Sequence, residues 1–241
     1  MVFCSSAQLT QAHVLDAQHC AMSLLKRLPS NLFYHRQDHT LKVVVPMTQR
    51  IAQAEQCSPD QIILLTIAAL FHDVGYIQEY QDNEEVAVQK SFFYMQRSPL
   101  PYTYEHAKIV QEAILATNLS RPLYAKHEKI IRDADLSTLG HADFWNWATQ
   151  LQTELQQHTA CPLAEYAKDN ARWLRFEQQF LQAHRWQTKS AHNLFDKGKQ
   201  DNLRKIRQLL EEKQPQKNQP TSSVSGSTLF ERNTAPQRPV F

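Results

Sequence analysis

Between Ile62 and Phe71 the chain is apolar at every position but Thr66. A helix apolar on all faces has no side to turn to water, so this run predicts a helix buried at the centre of a domain. Its start is marked. Ser58 suits an N-cap, Pro59 the first helical position, and Gln61 completes a capping-box pattern with Ser58. The run is shorter than the ~20 apolar residues that span a bilayer. His72 and Asp73 close it with no polar transition, and Val74-Gly75 breaks the pattern. Two adjacent titratable side chains at the end of a core helix are costly to bury unless something pairs with them, and a divalent metal is such a partner. A solvated Asp and a dipole-favoured His at a helix C-terminus form the plain alternative.

On either side, apolar residues recur at helical spacing. Residues 7–28 predict a first helix with Val14, Leu15, Met22, Leu24 and Leu25 on its apolar side. A second carries Leu41, Val44, Val45, Met47 and Ile51. Further helices are predicted at 84–96, 104–117, from Pro122 to Asp135, and at 144–158, 162–184 and 200–212. Beyond Lys213 the composition turns to Pro, Ser and Gln, with too little apolar surface to fold alone. The organisation expected is therefore all-α: one helical domain over 1–213 and a disordered tail over 214–241. Leu229-Phe230 and Val240-Phe241 are apolar exceptions in that tail, with the character of a docking motif.

Composition narrows this further. Only 4 glycines in 241 residues argue against a turn-rich β or α/β chain. A net charge of +2 argues against a generally basic nucleic-acid binder. Cys4, Cys20, Cys57 and Cys161 are scattered, which fits reduced thiols in the cytoplasm better than a disulfide framework. The N-terminal stretch has no basic segment followed by an apolar one, so neither a signal peptide nor a membrane location is expected.

The candidate chemistry lies in His35, His39, His72, Asp73 and Asp135. His35 and His39 stand four apart and share a helix face. Two imidazoles and two carboxylates make a mixed nitrogen and oxygen donor set, suited to one divalent ion such as Mn, Mg, Fe, Co, Ni or Zn.

Three stretches carry a resemblance: Tyr34-His35…His39-Thr40, Leu70-Phe71-His72-Asp73-Val74-Gly75-Tyr76 and Arg132-Asp133-Ala134-Asp135-Leu136. Their order on a helical chain resembles the HD superfamily of metal-dependent phosphohydrolases, over about residues 30–140. The resemblance implies an HD-type helical domain in which His39, His72, Asp73 and Asp135 hold one divalent ion, with room for a second. Asp133 is then a solvated or supporting residue. Asp82-Asn83-Glu84-Glu85 is similar to the Asn-Glu-Glu that follows the doublet in stand-alone predicted HD phosphohydrolases. That implies a role for Glu84 in holding a water or a second ion; the competing reading is a helix N-terminal acid. Phe180-Leu181…His184…Thr188…Ala191 and Lys199…Asn202-Leu203 resemble the closing segment of the same branch, with Lys199 a phosphate contact.

The spacing Tyr34-His35…His39 also resembles cyclic-nucleotide phosphodiesterases, which implies His35 as the general acid. Arg36 stands where those enzymes have Asn, and their His-Asp-x-x-His-Pro-Gly extension is absent. The expected function is hydrolysis of a phosphoester in a nucleotide or related small molecule. Asp73 would orient the water, His35 would protonate the leaving oxygen, and Arg36 and Lys42 would hold the phosphate oxygens. Two alternatives are an HD module that binds without turnover and an HD-type di-iron oxygenase, which would need His106 and His127 near the metal. A homo-oligomer is compatible with all three.

Overall fold

A computed structural model describes residues 3–212. Ten α-helices are found among them: α1 (Gln11–Leu25), α2 (Val45–Ala54), α3 (Pro59–Phe71), α4 (Asn83–Arg97), α5 (Tyr104–Leu115), α6 (Lys126–Asp135), α7 (Phe144–Gln157), α8 (Ala164–Ala167), α9 (Asn170–Ala183) and α10 (Lys189–Glu212). Among the described residues there is no strand, only an isolated bridge between Cys4 and Thr103. The chain is all-α. The tail over 214–241 and its apolar pairs lie outside the described residues.

α3 is the axis. The Ser58 hydroxyl accepts from the Gln61 N–H at 3.2 Å, and the Gln61 side chain accepts from the Ser58 N–H at 2.9 Å. This satisfies two N–H groups that a helix start otherwise leaves unpaired. From Leu64 onward every residue of α3 is buried. α1, α2, α4, α5 and α6 all pack against it. Their buried faces form one apolar cluster that also takes in Ala191 and Phe195 of α10. The stretch 59–77 is long and apolar enough to cross a membrane by length and composition, and 67% of its most apolar window is buried inside the fold. Two smaller clusters, one with Leu139, Phe144, Leu174, Leu181, Leu203 and Ile206 and one with Leu155, Trp173 and Phe176, join α7, α9 and α10.

Two expected helices differ in their bounds. The segment predicted as one helix over 162–184 is split into α8 and α9, because the Asp169 side chain accepts from the Arg172 N–H at 2.8 Å and starts a new helix. α10 begins at Lys189, well before Gln200, because the Thr188 hydroxyl accepts from the Ala191 N–H at 3.1 Å.

Two irregularities position the site. Ahead of α2, residues His39–Val44 form a π-helical turn, closed by the Val45 N–H donating to the Thr40 carbonyl. Pro46 accounts for it. Proline has no N–H for the Lys42 carbonyl four residues back, and its ring clashes with that oxygen, so the chain widens by a residue there. The second is Gly75, in the short 3₁₀ turn Val74–Ile77 after the doublet. A Cβ added to it would lie 1.8 Å from the Asn83 carbonyl oxygen, so only glycine lets the start of α4 pack against the doublet's turn.

Candidate metal centre

His39 comes from the π-helical turn, His72 from the end of α3, Asp73 from the turn that follows, and Asp135 from the last residue of α6. Four segments distant in sequence bring their polar atoms to one point. His39 Nε2 lies 3.0 Å from Asp135 Oδ1 and 4.0 Å from Asp73 Oδ2. His72 Nε2 lies 3.1 Å from Asp73 Oδ2 and 3.6 Å from Asp135 Oδ1. Ligands bonded at about 2.1 Å to one ion are themselves separated by roughly 3–4 Å, so these spacings match the edges of a coordination shell.

The burial supports the same fit. His39, His72 and Asp73 are all buried, and one ligand atom from each lies within 4.8 Å of the others. His72 Nε2 and Asp73 Oδ2 are buried with no hydrogen-bond partner. Buried polar atoms are normally satisfied, and a pair left over at one point calls for a ligand. His72 Nδ1 lies 2.8 Å from the Ala69 carbonyl. Donation to that oxygen leaves the Nε2 lone pair directed at the cluster, the arrangement that orients histidine ligands. Burial opposes the charge on Asp73 and Asp135, yet the neighbouring imidazoles of His72 and His39 hold both carboxyls below their usual range. The cluster can hold a metal ion.

No family model matches the chain, and no curated protein sequence matches it. The fold has a solved counterpart. It is similar to the crystal structure of Bacillus subtilis YpgQ in complex with ADP, with a TM-score of 0.52 and 17% identity, covering 82% of this chain and 96% of that chain. At that identity the likeness is one of fold.

The other expected site residues fall into two groups. His35 and Glu84 border the cluster. The His35 side chain is 19% exposed, its ring stacks on Tyr76 at 4.4 Å, and its centroid is 6.2 Å from that of His39. Glu84 opens α4 and is half-buried; burial, then the charges of Asp73 and Asp135, push its carboxyl up. The remaining three make other contacts. Lys42 is 71% exposed and pairs with Asp38 at 3.0 Å. Arg36 is also exposed, 4.0 Å from the same Asp38. Lys199 is buried beside His184, Asp196 and Trp186, none of them a residue of the cluster. The histidines considered for a second iron also make other contacts. His127 pairs with Glu112 at 3.0 Å, two helical turns before Asp135. His106 accepts from the Thr103 N–H at the start of α5. Asp133 is not solvated: it is buried, and its carboxylate accepts from the Gln187 and Thr188 N–H groups and the Thr188 hydroxyl.

Sequence reading missed Glu154. It is fully buried on α7, and its Oε1 lies 2.5 Å from His35 Nδ1. Its Oε2 accepts from the backbone N–H of Tyr34 at 2.8 Å and of His35 at 3.0 Å, and Tyr80 donates to Oε1 at 3.0 Å. Burial opposes charge on both partners. The Glu154 charge and hydrogen bond nevertheless raise His35 to about 9, and His35 with the backbone donors lowers Glu154 to about 2. The pair is an imidazolium and a carboxylate at neutral pH. The available signal was positional: Trp147, Leu151 and Leu155 share a helix face with Glu154, so the one acid on that face had to be buried and paired.

Proposed function

We propose that this chain is a metal-dependent phosphohydrolase of the HD type, acting on a phosphoester of a nucleotide or related small molecule. The observation that carries this reading is the convergence of His39, His72, Asp73 and Asp135 with buried ligand atoms left unpartnered. The likeness in fold to a protein crystallised with ADP supports a nucleotide as substrate.

His39, His72, Asp73 and Asp135 would hold a divalent ion, which when bound would supply positive charge to the phosphate and lower the pKa of a water toward ~7. Asp73 would orient the attacking water toward phosphorus and accept its hydrogen bond, the water's proton passing to solvent as it adds. As the new P–O bond forms, the ester P–O bond breaks and the leaving oxygen takes a proton. His35 supplies it from Nε2, since Nδ1 is engaged by Glu154. Glu154 fixes the ring and keeps it protonated at neutral pH, so the donor is charged before substrate arrives. Glu84, at the mouth of the cluster, is available to hold a second water or ion.

Elemental analysis of the purified chain, followed by a panel of phosphomonoesters and phosphodiesters with each divalent ion, tests the proposal. Bound stoichiometric metal and cleavage of at least one ester are expected. Metal without cleavage of any ester assigns the chain to binding or regulation instead.

A further inference from the structure

We propose that the chain carries a second small-molecule site, for a phosphate-bearing anion, in the cleft between α9 and α10. A cavity of about 440 Å³ lies there, lined in part by Arg185, Trp186, His192, Asp196, Lys199 and Arg207. None of its lining residues belongs to the candidate metal centre, and its size is that of a site for a small organic molecule, roughly 300–1,000 Å³.

The cavity is rich in donors and short of acceptors. Lys199 is only 3% exposed. Its ammonium donates to the His184 carbonyl at 3.1 Å and has His184 Nδ1 at 3.5 Å. Asp196 is farther, at 3.6 Å, and also stands 4.0 Å from His192. The remaining neighbour is the face of Trp186, 5.4 Å away. These partners hold the ammonium in place at the cavity wall, with Asp196 as its only carboxylate among the described residues. The Trp186 indole N–H is buried without any acceptor. Arg185 donates to the last carbonyls of α9, which leaves the rest of its guanidinium free for the cleft. Arg207 is exposed and has no partner among the described residues.

Three cations against the single carboxylate of Asp196 leave two positive charges, which matches a dianion. A phosphate group brings several acceptor oxygens at once and is the acceptor that guanidinium and ammonium groups together hold best. A neutral or cationic ligand would leave both the charge and the unpaired donors unmet.

The test is calorimetric titration of the full chain with pyrophosphate, in a chelator so that no ion can carry the anion to the metal centre; inorganic phosphate and ADP serve as parallel probes. Saturable binding of one pyrophosphate per chain is expected. Arg207→Glu, at an exposed position that leaves the melting temperature unchanged, should weaken it by about 10-fold or more, the effect of losing one charged hydrogen bond. Asp73→Ala should leave the affinity as it was. The proposal is overturned if none of the three probes binds saturably. It is equally overturned if Asp73→Ala weakens binding as much as Arg207→Glu does, or if Arg207→Glu has no effect.

Discussion

Asp133 and Asp135 stand two residues apart on α6 and serve two different regions of the molecule. Asp133 faces the joint with α10. Both its oxygens are taken, by the N–H of Gln187 at 2.9 and 3.1 Å, the N–H of Thr188 at 2.7 Å and the Thr188 hydroxyl at 2.8 Å. Asp135 faces the cluster, where only histidine rings approach it, His39 at 3.0 Å and His72 at 3.6 Å. A carboxylate whose lone pairs are spent on backbone N–H groups is a brace; one met by two imidazoles beside a buried cluster is placed to bind a metal. Only the resemblance of Arg132-Asp133-Ala134-Asp135-Leu136 to a family motif separates the two in sequence; their chemistry there is the same. In the structure the partners separate them.

The sharpest way to break this contrast is metal retention. Asp135→Ala, His72→Ala and Asp73→Ala should each leave the purified protein without stoichiometric ion, since removing a ligand leaves an incomplete shell. Asp133→Asn should keep it. Elemental analysis decides, and full occupancy in Asp135→Ala would move that residue among the braces.

The next effect extends the contrast to Glu154, an acid that braces a histidine instead of a backbone. His35→Ala and Glu154→Gln should both retain metal. Turnover of a substrate with a poor leaving group should fall by ~10²–10⁴, the usual worth of positioned proton transfer, while an activated aryl ester should suffer far less. In the unmodified protein, turnover of the poor-leaving-group ester should decline as pH rises through about 9, where His35 gives up its proton. Equal losses on both esters would make His35 structural.

Stability supplies the converse measurement. Asp133→Ala strands the two buried donors of Thr188 and the part-buried N–H of Gln187 and should cost about 2–4 kcal/mol in chemical denaturation, whereas Asp135→Ala in metal-free protein should cost much less. Similar losses for the two would erase the distinction.

Glu177 represents a third condition, an acid with neither brace nor ligand role. Burial alone raises it from 4.5 to about 8. The sign follows: an unfolded chain ionises Glu177 above about 4.5 while the folded chain keeps it protonated until about 8, so folding loses stability across that window and stays penalised above it. Glu177→Gln removes the penalty. It should leave stability nearly unchanged near pH 4.5 and raise it by about 4 kcal/mol at pH 8, read as urea midpoints at the two pH values. A pH-independent effect would mean that Glu177 is charged in the fold.

Much of this was legible in the sequence. The cap at Ser58, the central run and the order of the ligands are local or periodic features, and α3 with its doublet falls where the pattern places it. What the sequence hid is long-range. Glu154 reaches His35 across 119 positions, and Asp133 reaches Gln187 across 54. A periodic pattern reports that such residues face inward but not whom they meet. Lys199 is a further case. Its place in a motif implied a phosphate contact, and the structure sets it beside Asp196 and Trp186, outside the metal cluster. Gly198 lies inside α10, ahead of the start expected at Gln200. Here it is required, because a Cβ would lie 2.0 Å from the Gly140 carbonyl oxygen.

The π-helical turn at His39–Val44 is, in descent, equivalent to one inserted residue. His39 is its first residue; downstream lie Ile51 and Ala52, packed in the core. Deleting one residue within the turn and replacing Pro46 by alanine would restore an ordinary helix. The downstream side chains would keep their faces, while everything upstream would swing by about 100° around the axis. Such a lineage would keep the core contacts downstream of the turn and carry His39 away from the candidate metal centre. Gain and loss of the centre are therefore separable from the inheritance of the fold, and the two can evolve on different clocks.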